Sequence, residues 1–228
     1  MTVEILPDAA AVAKKAAAVI AADARQAVRE RGRFIMALSG GRTPWLMLRE
    51  LASEDVPWPN VHVFQIDERI APAGDPDRNL THLRASLLEH APLPPNHLYP
   101  MPVESADLNT AAQQYAQTLQ SVAGTPPVLD LAHLGLGPDG HTASLIPSDP
   151  VLNVTDADVA ITGVYQERRR MTLTYPMINR SRRILWLVTG SDKVPALAKL
   201  RAADPAIPAG RISQAQALLF ADRAAAGE

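Results

Sequence analysis

Short runs of apolar residues alternate along the chain with longer stretches in which apolar residues recur every three or four positions. The runs are typical of strands buried on both faces of a sheet, and the longer periodicity is typical of helices that pack one face against it. Strands are predicted at residues 3–6, 34–38, 61–67, 129–136, 159–165, 171–175 and 184–188. Helices are predicted at residues 80–88 and 111–119, and after Asp8, Thr43 and Ser191.

Capping residues mark where these helices begin and end. Asp8 is the expected N-cap of the first helix, because its carboxylate can accept a hydrogen bond from a free backbone N–H, and Gly32 is expected to end that helix. Thr43 is the expected N-cap of the second helix, with Pro44 at the first helical position. Ser191 is expected to cap a later one.

Strand-then-helix alternation from end to end predicts an α/β fold with a mainly parallel sheet and helices on both faces. The short proline-rich stretches at 92–95 and 126–127 are interpreted as loops within one domain that spans residues 1–228. In such a sheet, ligands bind beyond the carboxyl ends of the strands.

Composition narrows the classes of function. The net charge of -2 gives no general attraction to nucleic acid or to anionic membranes, so an anionic ligand must be held by a local cluster of cationic groups. The absence of cysteine removes thiolate nucleophiles and cysteine-ligated metals. No signal-peptide pattern or membrane-length apolar run is seen, which predicts a cytoplasmic protein.

The segment Ser39-Gly40-Gly41-Arg42-Thr43 follows the second predicted strand and leads into a helix. Two glycines allow a sharp turn and close approach of the backbone to a ligand, and a helix N-terminus attracts anions. The segment is therefore a candidate phosphate cradle. The alternative is a plain strand–turn–helix corner, and the sequence of this segment alone does not decide between them.

Three successive charged residues, Asp67-Glu68-Arg69, close the third predicted strand. At that position an arginine is placed to hold a hydroxyl-rich substrate or a developing oxyanion. A solvated strand end with an internal salt bridge is the alternative.

Glycines at 135, 137 and 140 match the spacing of a dinucleotide-binding fingerprint. The context argues against that function, because Pro147 and Pro150 leave no room for the required helix and Asp139 would face the pyrophosphate. The glycines instead predict a loop that presents Asp139 and His141 to one point. Histidine suits proton transfer near neutral pH, and a neighbouring carboxylate can orient its ring. The other five histidines lie in no comparable turn.

Together, Ser-Gly-Gly-x-Thr-Pro, Asp-Glu-Arg and Gly-x-Gly-x-Asp-Gly-His-Thr-Ala-Ser resemble, in that order, the motifs of the 6-phosphogluconolactonase family. The resemblance continues through residues 170–174, 187–190 and 222–226. It implies a modified Rossmann-like fold and hydrolysis of 6-phospho-D-glucono-1,5-lactone, in the pentose phosphate pathway, without metal or organic cofactor. The substrate is a small sugar phosphate, and a monomer or weak homo-oligomer is expected.

The resemblance also implies roles for individual residues. His141 corresponds to the general base, Asp139 to its neighbouring carboxylate and Arg69 to an arginine near the reacting end, with Asp67 beside it. The candidate phosphate or substrate contacts are Ser39, Gly40, Gly41, Arg42, Thr43, Asn79, Arg170 and Lys193. The chain departs from the family pattern at Arg78, where a serine is common, so the role of that loop is open.

Two rival functions are weighed. The related glucosamine-6-phosphate isomerase/deaminase would have a tyrosine in place of Arg69 and a glutamate in place of Ile146, and isoleucine cannot transfer protons. A non-catalytic sugar-phosphate sensor would normally carry a DNA-binding segment, for which the pattern from Val3 onward leaves no room, but a sugar-phosphate-binding protein without such a segment stays an alternative. No Gly-x-Ser-x-Gly segment supports a serine hydrolase. The lactonase is therefore the favoured prediction.

Overall fold

The chain forms a central parallel sheet flanked by helices, and a computed structural model describes all of it, residues 1–228. The strands are β1 (Thr2–Leu6), β2 (Phe34–Leu38), β3 (Val61–Gln65), β4 (Asp67–Arg69), β5 (Leu98–Tyr99), β6 (Leu131–Gly135), β7 (Val159–Ile161), β8 (Arg170–Leu173), β9 (Arg183–Val188) and β10 (Ala217–Asp222). The helices are α1 (Ala9–Arg31), α2 (Arg42–Ala52), α3 (Asn79–Leu83), α4 (Leu108–Ala123), α5 (Tyr175–Asn179), α6 (Val194–Arg201) and α7 (Arg223–Ala226). A π-helical turn, Arg84–Leu88, extends α3.

Seven strands pair in the order β1-β10-β9-β6-β2-β3-β5, and every pairing is parallel. The predicted α/β class with a mainly parallel sheet is confirmed. Each face of this sheet carries its own apolar core. One contains α1 and α2 with Met36 and Phe220, and the other contains α4 and α6 with Trp186. None of the helices combines the length and the apolar character that a membrane-spanning segment needs.

The first helix has the predicted ends. The Asp8 carboxylate accepts a hydrogen bond from the Ala11 backbone N–H at 2.8 Å, and Gly32 closes the helix in the left-handed region at φ 74°. Small alanines along one side let α1 lie close to the sheet and to α2, and eight residues of that side are buried.

The predicted caps at Thr43 and Ser191 are wrong. Helix α2 begins at Arg42 because Gly41, at φ 128°, makes the turn that Thr43 was expected to make. Thr43 is buried inside the first turn, and its hydroxyl is directed to a neighbouring loop instead. After β9, a 3₁₀ turn at Ser191–Lys193 precedes α6, and the side chain of Ser191 makes no capping hydrogen bond.

The strand predicted at 61–67 is two strands in different sheets. The chain leaves the central sheet at Ile66, whose N–H donates to Leu38 and whose carbonyl accepts from Leu173. Asp67–Arg69 then pairs antiparallel with β8, and β7 completes this three-stranded second sheet. The charged triplet therefore belongs to a small sheet that stands beside the carboxyl edge of the large one.

The predicted strands at 159–165 and 171–175 are too long. Strand β7 ends at Ile161, and Tyr175 begins α5, where Pro176 occupies one of the first positions of the helix. Strands β5 and β10 were not predicted. The first has two residues, too few to show a pattern, and of β10 only Asp222 lies in the segment 222–226 that was singled out.

Candidate active site

A cavity of about 280 Å³ lies beyond the carboxyl ends of β2, β6 and β9, where the fold predicts a ligand site. Four cationic side chains and one carboxylate line it: Arg42, Arg69, Arg170, Lys193 and Asp67. The chain as a whole carries a net charge of -2, so this concentration of cations is local. The cavity therefore favours an anionic ligand.

The glycine turn after β2 forms one wall of the cavity. Gly40 fits there because its Cα faces the Asn79 amide: a β-carbon at Gly40 would lie 2.0 Å from Asn79 Oδ1. Gly41, in its left-handed conformation, then directs the N-terminus of α2 toward the cavity. The Ser39 hydroxyl and Asn79 Oδ1 are buried without a hydrogen-bond partner, so both are available to a ligand.

The loops after β2 and β9 meet across the end of β6. The hydroxyls of Thr43 and Thr189 are 2.6 Å apart, and Lys193 lies on the 3₁₀ turn that follows. Lys193 Nζ is 2.9 Å from the Asp192 carboxylate, which is mostly exposed. This part of the cavity therefore combines hydroxyl groups, a lysine and the backbone N–H groups of a helix start.

Asp67 is buried and held by neighbours on both of its carboxylate oxygens. Oδ2 accepts from the Ser144 hydroxyl at 2.7 Å, and Oδ1 lies 3.4 Å from Asn79 Nδ2. These contacts hold the Asp67 side chain in one orientation beside the arginines.

Glu68 points away from the cavity and organises the loop behind it. It is fully buried, and its carboxylate accepts from the side chain of Gln65 and from the backbone N–H groups of Arg69, Asn79 and Leu80, at 2.8–2.9 Å. Glu68 thus joins β4 to the start of α3. The sequence indicated charge here but not the direction in which each charge points, because β4 was expected to continue β3.

Arg78, the departure from the family pattern, completes this buried network. Its Nε lies 3.2 Å from Glu68 Oε2, and its Nη1 donates to Glu104 at 2.9 Å and to the Ala71 carbonyl at 2.8 Å. Arg78 neutralises Glu68 and does not line the cavity. Its role in this chain is to hold the loop before α3.

Arg69 and Arg170 are direct partners across the β4–β8 pairing. Burial of Arg170 and the nearby charge of Arg69 lower the pKa of Arg170, while Asp67 opposes the shift. Both Nε groups are buried without a partner. The resemblance implied that the two arginines contact opposite ends of a substrate, and the structure places them side by side.

His141 and Asp139 lie in the glycine loop after β6 and contact each other. His141 Nδ1 is 2.6 Å from Asp139 Oδ1, which also accepts from the His141 backbone N–H at 3.1 Å. Burial raises the pKa of Asp139, but the charge and hydrogen bonds of His141 outweigh it, and the pKa falls below its usual range. An anionic Asp139 places the imidazole hydrogen on Nδ1, which leaves Nε2 of a cavity-lining ring free of protein partners.

Tyr165 is a contact of this pair that the sequence did not reveal. Its hydroxyl donates to Asp139 Oδ2 at 2.9 Å, and its ring meets the His141 ring edge-on with centroids 5.5 Å apart. Burial and the Asp139 carboxylate raise the pKa of Tyr165, so the hydroxyl stays protonated. Ser144 and Thr189 were also missed as site residues. Ser144 ends the third motif and Thr189 lies in the segment 187–190, but neither was singled out, because each acts, like Tyr165, through a contact between distant segments.

The other histidines do not line the cavity. His133 is fully buried below the glycine turn, where its Nδ1 accepts from the Ser39 N–H at 3.3 Å. His82 stacks on Trp45, and His62 stacks on His97. None of these contacts belongs to the cavity.

Comparison with known proteins shows which family the chain belongs to. The profile of the glucosamine-6-phosphate isomerases/6-phosphogluconolactonase family matches residues 7–220. The chain belongs to this family. A 6-phosphogluconolactonase from Synechocystis is 38% identical over 96% of this chain and 93% of its own length. One from Mycobacterium tuberculosis is 38% identical over 100% of this chain and 98% of its own. The family inferred from the motifs is confirmed.

Solved structures of the family share the whole fold. The 6-phosphogluconolactonase from Thermotoga maritima superposes with a TM-score of 0.86 at 26% identity, covering 97% of this chain and 98% of that one. A monomeric glucosamine-6-phosphate deaminase reaches 0.85 at 20% identity, covering 100% and 99%. Because the two scores are nearly equal, the fold alone does not distinguish a lactonase from a deaminase.

Proposed function

We propose that this protein is a 6-phosphogluconolactonase, which hydrolyses 6-phospho-D-glucono-1,5-lactone to 6-phosphogluconate. The observation that carries the proposal is the His141 ring, held by Asp139 at the wall of a cationic cavity with Nε2 free. The full-length relatives with this activity support it. Against the deaminase, Arg69 lines the cavity, and Ile146 is a buried apolar residue with no carboxylate to move protons.

Hydrolysis of a lactone needs an activated water and a stabilised oxyanion. His141 Nε2 takes a proton from water as the oxygen attacks C1 of the lactone. The Arg69 and Arg170 guanidinium groups hold the negative charge that forms on the carbonyl oxygen. When the bond from C1 to the ring oxygen breaks, His141 returns the proton to that oxygen. The acid formed then ionises, which releases one proton to solvent.

The far end of the sugar carries the phosphate, and the glycine turn supports its binding. The start of α2, the Thr43 and Thr189 hydroxyls and the ammonium of Lys193 provide neutral and charged donors together. Arg42, which is exposed at the rim, adds a further positive charge. In this arrangement Asn79 and the Ser39 hydroxyl are placed to contact the sugar between the two ends.

Proton release after addition of freshly prepared 6-phosphogluconolactone tests the function. We expect enzyme-dependent release well above the spontaneous rate, unchanged after dialysis against EDTA, and no ammonia from glucosamine 6-phosphate. Binding of 6-phosphogluconate without acceleration of lactone decay would instead establish a sugar-phosphate sensor. Ammonia release from glucosamine 6-phosphate would establish the deaminase.

Two further expectations go with the proposal. We expect the protein to act in the cytoplasm, as the sequence predicts. We also expect a monomer or weak homo-oligomer. Sedimentation velocity at several protein concentrations tests the second expectation.

A further inference from the structure

Tyr165 lies behind the catalytic pair rather than in the cavity. It touches Asp139 through its hydroxyl and His141 through its ring edge, yet it is not one of the residues that line the cavity. Any effect of Tyr165 on the reaction therefore passes through neighbouring side chains and not through direct contact with substrate.

The hairpin between β7 and β8 is built to hold Tyr165 in place. Backbone hydrogen bonds join Tyr165 and Arg168 in both directions, at 2.9 and 3.3 Å, and the two turn residues, Gln166 and Glu167, both have left-handed φ, 49° and 64°. Such a turn normally requires glycine or asparagine, so its tip is strained.

Contacts around the hairpin hold this strained turn. Arg168 forms ion pairs with Asp75 at 3.1 Å and Asp77 at 2.9 Å in the loop after β4. The Asp77 carbonyl in turn accepts from Arg69 Nη1 at 2.6 Å. The segment that carries Tyr165 and the segment that orients a cavity arginine are therefore anchored to the same loop.

A carboxylate bound through one oxygen can still rotate about its Cβ–Cγ bond, and a second donor on the other oxygen stops that rotation. Tyr165 supplies the second donor, on Oδ2, while Oδ1 faces His141. We propose that Tyr165 is a positioning residue that fixes the Asp139 carboxylate and so keeps the His141 ring directed into the cavity. This inference rests on the proposed lactonase function.

The ring of Tyr165 has a separate task. The Arg170 guanidinium carbon lies 5.0 Å from the ring centroid, and Arg170 also donates to Gln166 on the hairpin at 3.2 Å. Replacement by phenylalanine keeps the platform under Arg170 and removes only the hydroxyl. Replacement by leucine removes both.

Steady-state kinetics of Tyr165→Phe and Tyr165→Leu separate these two tasks. For Tyr165→Phe we expect kcat to fall about 10-fold with KM unchanged, because a hydrogen bond to a charged group is lost while the cavity stays intact. For Tyr165→Leu we expect KM to rise as well. Tyr99→Phe is the matched control: its hydroxyl also meets a histidine, His62, at 3.1 Å, but outside the site, and both constants should stay at wild-type values.

The decisive comparison repeats Tyr165→Phe in the Asp139→Asn background. If Tyr165 acts only by positioning Asp139, Tyr165→Phe should lower kcat by less than about 2-fold in this background, because the effects of coupled neighbours are not additive. An equal loss in both backgrounds, or wild-type kcat for Tyr165→Phe, would overturn the proposal.

Nuclear magnetic resonance of the His141 Nδ1 proton gives an activity-independent result. We expect several-fold faster exchange with solvent in Tyr165→Phe than in wild type, and wild-type exchange in Tyr99→Phe. Unchanged exchange in Tyr165→Phe contradicts the positioning role even if the lactone is not the substrate. Faster exchange without any lactonase activity in wild type would instead refute the proposed function alone.

Discussion

Gly137 lies against the His141–Asp139 pair so closely that no side chain fits between them. A β-carbon built at Gly137 would be 2.1 Å from His141 Nδ1 and 2.7 Å from Asp139 Oδ1, both far inside contact distance. The Gly137 N–H also donates to the His141 carbonyl at 2.8 Å. The loop therefore uses this glycine for space, not for an unusual backbone angle.

Gly137→Ala should displace the His141–Asp139 pair and lower kcat at least 100-fold, comparable with loss of a general base. Gly32→Ala is the control. It strains a left-handed helix cap remote from the site, where nothing lies within 4 Å of a new β-carbon. For Gly32→Ala the free energy of unfolding should fall by about 1 kcal/mol, and kcat should stay unchanged. Wild-type kcat in Gly137→Ala would show that the ring tolerates displacement. Kinetics and urea unfolding of both variants supply the comparison.

Arg69 and Arg170 should act as one unit, because they are cross-strand partners at the same end of the cavity. Arg69→Met and Arg170→Met should each lower kcat/KM by about 100- to 1000-fold, the range for loss of one oxyanion donor, and the double variant should lose less than the product of the two effects. The effects of Arg69→Met and Lys193→Ala on kcat/KM should multiply, since we assign those residues to opposite ends of the substrate. If the effects of Arg69→Met and Arg170→Met on kcat/KM multiply instead, the two arginines act separately, as the family resemblance implied.

Glu68→Gln should lower the free energy of unfolding by roughly 3 kcal/mol in urea. The new amide nitrogen would face N–H donors that now point at a buried carboxylate. Arg78 would also lose its buried anionic partner. Glu104→Gln is the matched control. Glu104 contacts the same arginine, but its side chain is 56% exposed, so the loss should stay below about 1 kcal/mol. Equal losses in the two variants would contradict the organising role of Glu68.

Acid should unfold the protein partly through His133, because complete burial lowers its pKa from 6.5 to about 3. Between these values the unfolded chain binds a proton that the folded state does not, so the free energy of unfolding falls as pH falls, by up to about 1.4 kcal/mol per pH unit. His133→Asn, which keeps an acceptor for the Ser39 N–H, should show a shallower fall from pH 6.5 to pH 4. Parallel curves for the two proteins would contradict this.

Most strands of the central sheet and the three motifs were visible in the sequence, because each depends on neighbouring residues. Continuous apolar runs marked β2 and β9, and a glycine loop marked the contact pair of Asp139 and His141. Contacts across the fold left no such mark. The turn from β3 into β4, the pairing of Arg69 with Arg170 and the approach of Tyr165 all depend on segments that meet only in the folded chain.

The rate of lactone hydrolysis by His141→Asn tests the central claim most directly. We predict a fall in kcat of about 10²- to 10⁴-fold, with 6-phosphogluconate still bound in calorimetry, because the base is lost while the cationic cavity remains. His82→Asn, which changes a histidine outside the cavity, should keep the wild-type rate. A wild-type kcat in His141→Asn would contradict the assignment of His141 as the group that activates water.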